Sequence, residues 1–133
     1  MAEKSIQLDV VTPEKKVCSQ EVESLVVPAT TGYLGVLPNH APLITALDIG
    51  VVRFTQDGKS IKMAVNGGFL EVKDNKAVIL ADTAELGDQI DLARAEEAKE
   101  RALRRLTERP ADLDVIRAEL ALKRAQSRIK AAK

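Results

Sequence analysis

The sequence is poor in the side chains from which most catalytic and metal centres are built. Its 133 residues include one cysteine, Cys18, and one histidine, His40. A lone cysteine forms no internal disulfide, which fits a reducing compartment. Metal sites and general-base dyads need several such groups together. We therefore predict no catalytic residue and no metal site, and we expect His40 to bond locally in a loop or to face a partner.

Aromatic residues and long apolar runs are scarce as well. There is no tryptophan, one tyrosine and two phenylalanines, so a core has to be built from valine, isoleucine and leucine. The scarcity of rings also argues against stacking on the bases of a single strand. No run approaches the roughly 18 apolar residues of a membrane span, and the N-terminus lacks the apolar segment of a signal peptide. We expect no direct membrane insertion, so any tie to a membrane goes through a partner.

Charge is balanced over the whole chain but not along it. Residues 1–87 hold 8 Lys and Arg against 11 Asp and Glu, whereas residues 88–133 hold 12 against 9. The basic C-terminal part suits an anionic partner, such as an acidic protein face, a nucleotide or a nucleic acid. The acidic N-terminal part argues against a long track of nucleic-acid phosphates.

Residues 1–87 carry the alternation typical of short β-strands. Ile6, Leu8 and Val10 alternate with polar residues, which is the two-residue period of a half-buried strand. Residues 21–27 alternate in the same way and predict a further strand. This part of the chain therefore predicts strands rather than helices.

Turn signals recur about every ten residues in the same region. Asp57 and Gly58 lie between two apolar runs and favour a hairpin, because both tolerate positive φ. Residues 73–76 carry a similar signal, and Pro28 is expected to close the strand before it because proline donates no ladder hydrogen bond. Residues 32–43, with two glycines and two prolines, predict irregular backbone and short strands. Together these signals predict an all-β sandwich or barrel.

Residues 88–133 predict a different architecture, an antiparallel hairpin of two helices. The stretch is rich in the strongest helix formers, contains no glycine, and has its only proline, Pro110, in a break at residues 109–112. The helices are expected to be roughly 17 and 19 residues long. Residues 81–87 are expected only to connect the last strand to the hairpin, with Gly87 as the hinge. The predicted fold is an all-β N-terminal sandwich or barrel followed by this hairpin.

Arginines recur on one face of each predicted helix. At about 100° per residue, Arg94 and Arg101 lie within about 20° of each other, as do Arg117 and Arg124, with Arg128 close to the same line. In an antiparallel hairpin both rows can point into one space. Forked guanidinium groups there would suit phosphate oxygens.

The same residues allow a plainer interpretation. Asp91 and Glu85 could bind an amine or a ribose hydroxyl, but Asp91 could also be no more than a helix N-cap. Glutamates four residues before Arg101 and Arg104 could pair with them on a solvated helix face. From the residues alone, both interpretations stay open.

The apolar face of the second helix is built mainly from alanine, which buries little surface because each buried methylene contributes only about 0.8 kcal/mol. Such a hairpin can close tightly and still be held weakly. A weakly held amphipathic pair is a candidate for an element that opens and binds elsewhere. The residues on this face are Ala118, Ala121, Leu122, Ala125, Ile129 and Ala132.

Four segments, taken in order, resemble a known family. They are residues 32–43, 67–72, 81–85 and 90–95, and together they are similar to the epsilon subunit of bacterial and chloroplast F-type ATP synthases. The resemblance implies a β-sandwich followed by a two-helix hairpin, in a non-catalytic subunit of the rotary central stalk. It implies that a β domain, residues 1–87, binds the gamma subunit and the c-subunit ring and helps couple rotation to proton flow.

The resemblance also implies a regulatory, mobile hairpin in residues 88–133. Its extended helices would reach along gamma into the catalytic head of alpha and beta subunits and block ATP hydrolysis. A basic tail suits an acidic site in that head. Tyr33, at a position where many bacterial members carry an acidic residue, and His40 are then expected to contact partners. The complex would hold the chain peripherally on the cytoplasmic face of the cell membrane.

Bacillus-type members of this family bind ATP on the folded hairpin through the motif Ile/Leu-Asp-x-x-Arg-Ala, which residues 90–95 match. The resemblance thus implies ATP as a regulatory ligand, with or without Mg²⁺, and no catalytic cofactor. The alternative function is a free-standing nucleotide- or nucleic-acid-binding module, which the few aromatics and the acidic front part disfavour. The residues implied to bind ATP are Glu85, Asp91, Arg94, Ala95, Arg101, Arg117, Arg124 and Arg128.

Overall fold

The computed structural model describes residues 4–133, which form ten β-strands, then a 3₁₀ helix, then two α-helices. The 3₁₀ helix spans Gly87–Gln89, and the α-helices are α1 (Leu92–Glu108) and α2 (Val115–Ala132). The strands are β1 (Ile6–Val11), β2 (Lys16–Val22), β3 (Ser24–Ala29), β4 (Gly32–Val36), β5 (Leu43–Leu47), β6 (Gly50–Gln56), β7 (Lys59–Asn66), β8 (Gly68–Lys73), β9 (Lys76–Leu80) and β10 (Thr83–Leu86).

All ten strands belong to one continuous sheet that folds over into a nearly closed sandwich. The strand order is β10-β7-β6-β3-β5-β8-β9-β1-β2, and β4 pairs with β3 outside this path. Neighbouring strands are antiparallel except β1 and β9, which run parallel. The predicted fold, an all-β sandwich followed by a two-helix hairpin, is confirmed.

The core of the sandwich is aliphatic, as the scarcity of aromatics requires. Ile6, Leu8 and Val10 of β1 are fully buried, which is what the alternation of this strand predicts. Phe54 is the only aromatic side chain that is buried among residues 4–133. The fold of the β domain therefore depends on many small apolar contacts rather than on a few large rings.

The predicted hairpin turns are present with the expected backbone. Asp57 and Gly58 have φ of 52° and 77°, and Asp74 and Asn75 have φ of 52° and 58°. Positive φ at both central residues is the conformation that matches the twist of the flanking strands. These short local signals therefore place β6 against β7 and β8 against β9.

Three expectations for this domain are wrong in detail. Residues 21–27 are not one strand, because β2 ends at Val22 and β3 begins at Ser24. Pro28 lies inside β3 rather than closing it, and its carbonyl accepts the Asp48 N–H at 2.8 Å. An antiparallel ladder uses only alternate N–H groups on each side, so a proline is tolerated where none is needed. Residues 81–87 contain β10, which pairs with the edge of β7.

The two helices confirm the predicted hairpin. They contain 17 and 18 residues, against the expected 17 and 19. Asp91 and Asp114 cap their N-termini, each accepting the backbone N–H three residues later. Between them, α1 ends at Arg109, which takes left-handed backbone with φ of 47°, and Pro110 follows. Among residues 4–133, no helix is both long enough and apolar enough to cross a bilayer.

The hairpin is folded onto the sheet, and α2 is the helix that contacts it. Ser127 Oγ donates to the carbonyl oxygen of Gly50 at 2.7 Å, and Lys123 Nζ lies 2.7 Å from Asp48 Oδ2. Near the end of α2, buried Ala131 packs with two small residues of β6 and β7. The alanine face differs slightly from the prediction, since Ala131 is buried and Ala132 only half-buried, because α2 packs against both α1 and the sheet.

Candidate functional site

A groove of about 640 Å³ runs between the two helices, and we call it the interhelical groove. Four arginines line it, Arg101 and Arg105 from α1 and Arg117 and Arg124 from α2. Short side chains between these arginines leave the space open. They are the alanines Ala98, Ala102, Ala118 and Ala121.

The interhelical groove carries an excess of positive charge. Only two carboxylates line it, Asp112 and Asp114, and Asp114 Oδ1 is already engaged by the Arg117 N–H at 3.0 Å. Three ion pairs form within residues 4–133, and none of them includes an arginine that lines this groove. The pairing of Arg101 and Arg104 with glutamates four residues earlier is therefore not formed, and the guanidinium groups are left for an external anion.

A second groove of about 680 Å³, the sheet-side groove, lies between the hairpin and the edge of the β domain. Its lining includes Glu85 of β10, the turn at residues 12–15, and Arg124 and Arg128 of α2. Arg124 also lines the interhelical groove. Ala98 and Ala121 are shared as well, so the two grooves meet around Arg124 and these two alanines, and a ligand larger than a single phosphate can occupy both.

Glu85 and Arg128 form an ion pair that joins β10 to α2. Arg128 Nε lies 2.8 Å from Glu85 Oε1, and Nη2 donates to Oε2 at 3.1 Å. The Nε atom is buried, but its N–H is not aligned for a hydrogen bond with any acceptor, so its contact with Oε1 is electrostatic only. The pair is about a third exposed, which limits its contribution to stability through screening by solvent.

The motif at residues 90–95 lies away from both grooves. Asp91 Oδ1 accepts the Arg94 N–H at 3.1 Å and caps α1, which is the plainer role expected for it. The Arg94 side chain is exposed, and Ala95 is fully buried. Of the residues assigned to ATP, the structure brings five together around the grooves and places these three at the start of α1.

Gly87 is a point of close contact rather than open chain. A Cβ atom at this position would lie 2.1 Å from the carbonyl oxygen of Ala131 near the end of α2. Gly87 begins the 3₁₀ helix, so the segment between β10 and α1 packs directly on the second helix. The hinge role of Gly87 stays a prediction, and the structure adds that any larger residue would collide with the docked hairpin.

Asp48 receives two hydrogen bonds at the point where α2 meets the sheet. Lys123 Nζ donates to Oδ2 at 2.7 Å and the Ile49 N–H donates to Oδ1 at 2.8 Å. These donors, with that of Lys123 the stronger influence, hold the pKa of the Asp48 carboxyl below its usual value. Both groups of this pair are about half exposed, so the contact is accessible to salt.

The two residues expected to contact partners lie outside the grooves. The Tyr33 side chain is 63% exposed on β4. His40 Nδ1 lies 2.7 Å from the carbonyl oxygen of Ala41, which is the local contact expected of a loop histidine. No group of three or more His, Cys, Asp and Glu side chains within the described range could hold a metal ion.

Arg105 is the one arginine of the interhelical groove that was not among the predicted site residues. It follows Arg101 by one turn, about 40° further round the helix, and it lines the interhelical groove. The spacing was readable from the sequence, but only the position of α2 decides which arginines of α1 face it. As a whole, the arrangement can bind a polyanion through forked hydrogen bonds and charge.

Comparison with sequence families divides the chain into two matches. Residues 5–87 match the model described as ATP synthase, Delta/Epsilon chain, beta-sandwich domain, and residues 88–133 match the long alpha-helix domain of the same chain. The ATP synthase epsilon chain of Desulforamulus reducens is 55% identical over 129 residues, covering 97% of this chain and 98% of that relative. The epsilon chain of Desulfitobacterium hafniense (strain DSM 10664 / DCB-2) is 57% identical over 126 residues, covering 95% of each.

Solved structures share the fold at low sequence identity. A chain of the Euglena gracilis mitochondrial ATP synthase (OSCP/F1/c-ring, rotational state 1) superposes with a TM-score of 0.85 at 22% identity, covering 100% of this chain and 84% of that one. A chain of the Tetrahymena thermophila mitochondrial ATP synthase central stalk and c-ring gives 0.54 at 14% identity, covering 99% and 96%. From the family matches and the high identity to bacterial relatives, the chain belongs to the epsilon chain family of the ATP synthases.

Proposed function

We propose that the chain is a non-catalytic rotor subunit of the proton-translocating F-type ATP synthase, where it couples rotation to proton flow and restrains ATP hydrolysis. The family matches support this, because they cover both parts of the chain. Bacterial relatives named ATP synthase epsilon chain align over nearly their whole length. In this proposal the chain is peripheral on the cytoplasmic face of the cell membrane, as part of the ATP synthase complex.

The β domain offers an apolar surface for the gamma subunit. Ile44, Phe69 and Leu80 are 70%, 57% and 55% exposed. They lie on the adjacent strands β5, β8 and β9, where Phe69 is directly opposite Leu80. Clustered exposed apolar side chains mark protein contacts. We assign this surface to gamma, and Tyr33 and His40 to contacts with partners that include the c-subunit ring.

Regulation by ATP is proposed from a single observation, the four arginines that line the interhelical groove of the folded hairpin without carboxylate partners. Guanidinium forks match phosphate oxygens, and hydrogen bonds between charged groups are stronger than neutral ones. Arg124, which lines both grooves, is the centre of this site. ATP, with or without Mg²⁺, is the ligand that we assign to it.

The two grooves exist only while the hairpin is folded, because residues from different elements line each of them. A ligand that binds one conformation stabilises it by RT ln(1 + [L]/Kd), about 2.7 kcal/mol at a hundredfold excess over Kd. High ATP would hold the hairpin on the sheet. Low ATP would release the basic helices to extend along gamma into the alpha and beta catalytic head and block hydrolysis.

Titration calorimetry of the whole chain with ATP, with and without Mg²⁺, tests the binding. We expect saturable heat for the unaltered chain and a loss of about 1.5–3 kcal/mol of binding free energy for Arg124→Ala, the value of a charged hydrogen bond. Arg53→Ala is the matched control, because Arg53 is an exposed arginine on β6 outside both grooves. No heat at millimolar ATP would remove the sensing proposal.

Inhibition is tested in the assembled complex. ATP hydrolysis is compared between complexes that carry the whole chain and complexes whose chain ends at residue 87. We expect faster hydrolysis at low ATP without the hairpin and a smaller difference at high ATP. Equal rates at every ATP concentration would leave a coupling subunit without an inhibitory hairpin.

A further inference from the structure

We propose that Lys123 and Ser127 are positioning residues that hold α2 at one rotation about its own axis, so that Arg124 and Arg128 face the grooves. The two contacts that do this, Lys123 with Asp48 and Ser127 with the Gly50 carbonyl, are called the docking contacts. The link to ligand binding rests on the proposed ATP site. The docking itself rests only on the geometry of α2 and the sheet.

The positions of these residues on α2 define the geometry. Lys123 and Ser127 are four residues apart, so they lie about 40° apart on one side of the helix, one turn from each other. Arg124 and Arg128 each follow by one residue and therefore lie about 100° further round. A helix fixed to the sheet along positions 123 and 127 must turn positions 124 and 128 toward the grooves. Two contacts one turn apart oppose rolling of α2 about its axis more strongly than either contact alone.

Both docking contacts end on the same short stretch of the β domain. Asp48 Oδ2 accepts from Lys123 at 2.7 Å, while Oδ1 is held by the Ile49 N–H at 2.8 Å. Two residues later, the Gly50 carbonyl accepts from Ser127 at 2.7 Å. Residues 48–50 lead into β6, where the backbone is fixed by pairing with β7. The acceptors are thus held by the sheet and do not move with the hairpin.

Packing at Gly50 keeps this acceptor in place. A Cβ there would lie 2.6 Å from the Cβ of Pro28, so the backbone sits directly against β3. Ser127 itself is only 7% exposed. Loss of its hydroxyl would remove one hydrogen-bond donor from the buried Gly50 carbonyl. The serine contact is therefore expected to matter more than the half-exposed lysine pair.

In this proposal the docking contacts influence ATP through the position of α2. Neither Lys123 nor Ser127 lines the interhelical groove or the sheet-side groove. If they loosen, the fraction of chains with a formed site falls, and the apparent Kd rises in inverse proportion to that fraction. Docking of the hairpin and binding of ATP then become one coupled equilibrium.

The test measures docking without ATP first. Spin labels at Lys59→Cys and Glu119→Cys, in a Cys18→Ser background, report the distance between β7 and α2 by double electron–electron resonance. Mild urea is chosen so that both hairpin states of the unaltered chain are populated. We expect the folded-to-extended ratio to fall about two- to tenfold for Ser127→Ala and about two- to fivefold for Lys123→Met.

Two matched controls belong to the same helix. Lys130 is seven residues after Lys123, within about 20° of it, and it forms none of the ion pairs of residues 4–133. Lys130→Met therefore removes the same charge from the same face without a docking contact. Gln126 is the exposed neighbour of Ser127, and Gln126→Ala should leave the ratio unchanged. Lys123→Arg, which keeps the charge and a donor, should keep the folded-to-extended ratio of the unaltered chain.

ATP titrations of the same variants complete the test under the same urea conditions. We expect the apparent Kd to rise in Ser127→Ala and Lys123→Met by the factor that the distance measurement predicts, and to stay constant in the controls. Ratios equal to those of the controls would overturn the docking contacts. If the unaltered chain binds ATP and the undocked variants bind it equally well, the positioning role alone is overturned. An unaltered chain that gives no ATP heat would overturn the proposed ATP site and this role toward it together, whatever the distances show.

Discussion

The β domain and the hairpin are held together in different ways. The sandwich buries large aliphatic side chains completely, among them Leu8, Leu25 and Leu70. The helices bury only alanines and Ser127, and they leave Leu103 and Leu120 each 42% exposed. Burial of apolar area sets stability, so the sandwich is the stable unit and the docked hairpin a weakly attached one. The regulatory role that we propose for the hairpin needs weak attachment of this kind, because a modest ligand energy must be able to move it.

The largest expected effect contrasts one leucine from each region. Leu70→Ala should destabilise the β domain by about 2–5 kcal/mol, because Leu70 is fully buried and its loss leaves a cavity. Leu120→Ala, with the same change of side chain on the exposed face of α2, should cost less than about 1 kcal/mol. Urea unfolding followed by circular dichroism measures both. Equal losses would show that the hairpin shares one cooperative core with the sandwich.

The next effect separates docking from folding. Gly87→Ala places a Cβ against the backbone of Ala131. Overpacking of this kind typically destabilises the packed state by about 1–3 kcal/mol. The folded-to-extended ratio of the hairpin should fall about fivefold to a hundredfold, while the unfolding midpoint of the β domain stays the same. Gly35→Ala is the control, since no atom lies within 4 Å of a Cβ there. An unchanged ratio would mean that the segment adjusts without releasing α2.

Acid should loosen the sandwich through one carboxylate. Hydrogen bonds from Ser19 and Gln7, together with Lys76, lower the pKa of Asp9 from 3.8 to about 2. The folded state therefore holds this proton less tightly than the unfolded chain. The stability that Asp9 contributes is complete above about pH 4 and is lost as the pH falls toward 2. Urea unfolding between pH 5 and 2 should show that the free energy of unfolding declines less steeply in Asp9→Asn than in the unaltered chain. If the two proteins lose stability in parallel, other carboxylates cause the loss in acid.

The smallest expected effect is the response of the hairpin to salt. The pair of Lys123 and Asp48 is about half exposed on each side, so added salt should screen it and reduce docking without ATP by no more than about 1 kcal/mol. Asp48→Asn should reduce this salt response. The distance measurement in 50 mM and 500 mM salt checks it. A large response that survives in Asp48→Asn would place the electrostatic control at Glu85 and Arg128 instead.

Local chemistry in the sequence was sufficient for much of the fold. Asp57 with Gly58 specifies its own turn, and a glycine-free run of helix formers broken at Pro110 specifies two helices. The errors occurred where pairing partners decide the outcome. Pro28 is accommodated inside β3 because of the strands beside it, and β10 forms because the edge of β7 is free to pair with it.

The candidate site divides in the same way. The repeat of arginines along two helices follows from the sequence alone, because a helix places every seventh residue on nearly the same side. Packing between the elements determines that Arg105 faces the groove, that Arg94 does not line it, and that Arg128 pairs with Glu85. Helical periodicity is set within a helix, whereas the direction in which a helix face points is set by contacts between elements distant in the chain. For α2, those contacts are with residues 48–50, more than 70 positions earlier.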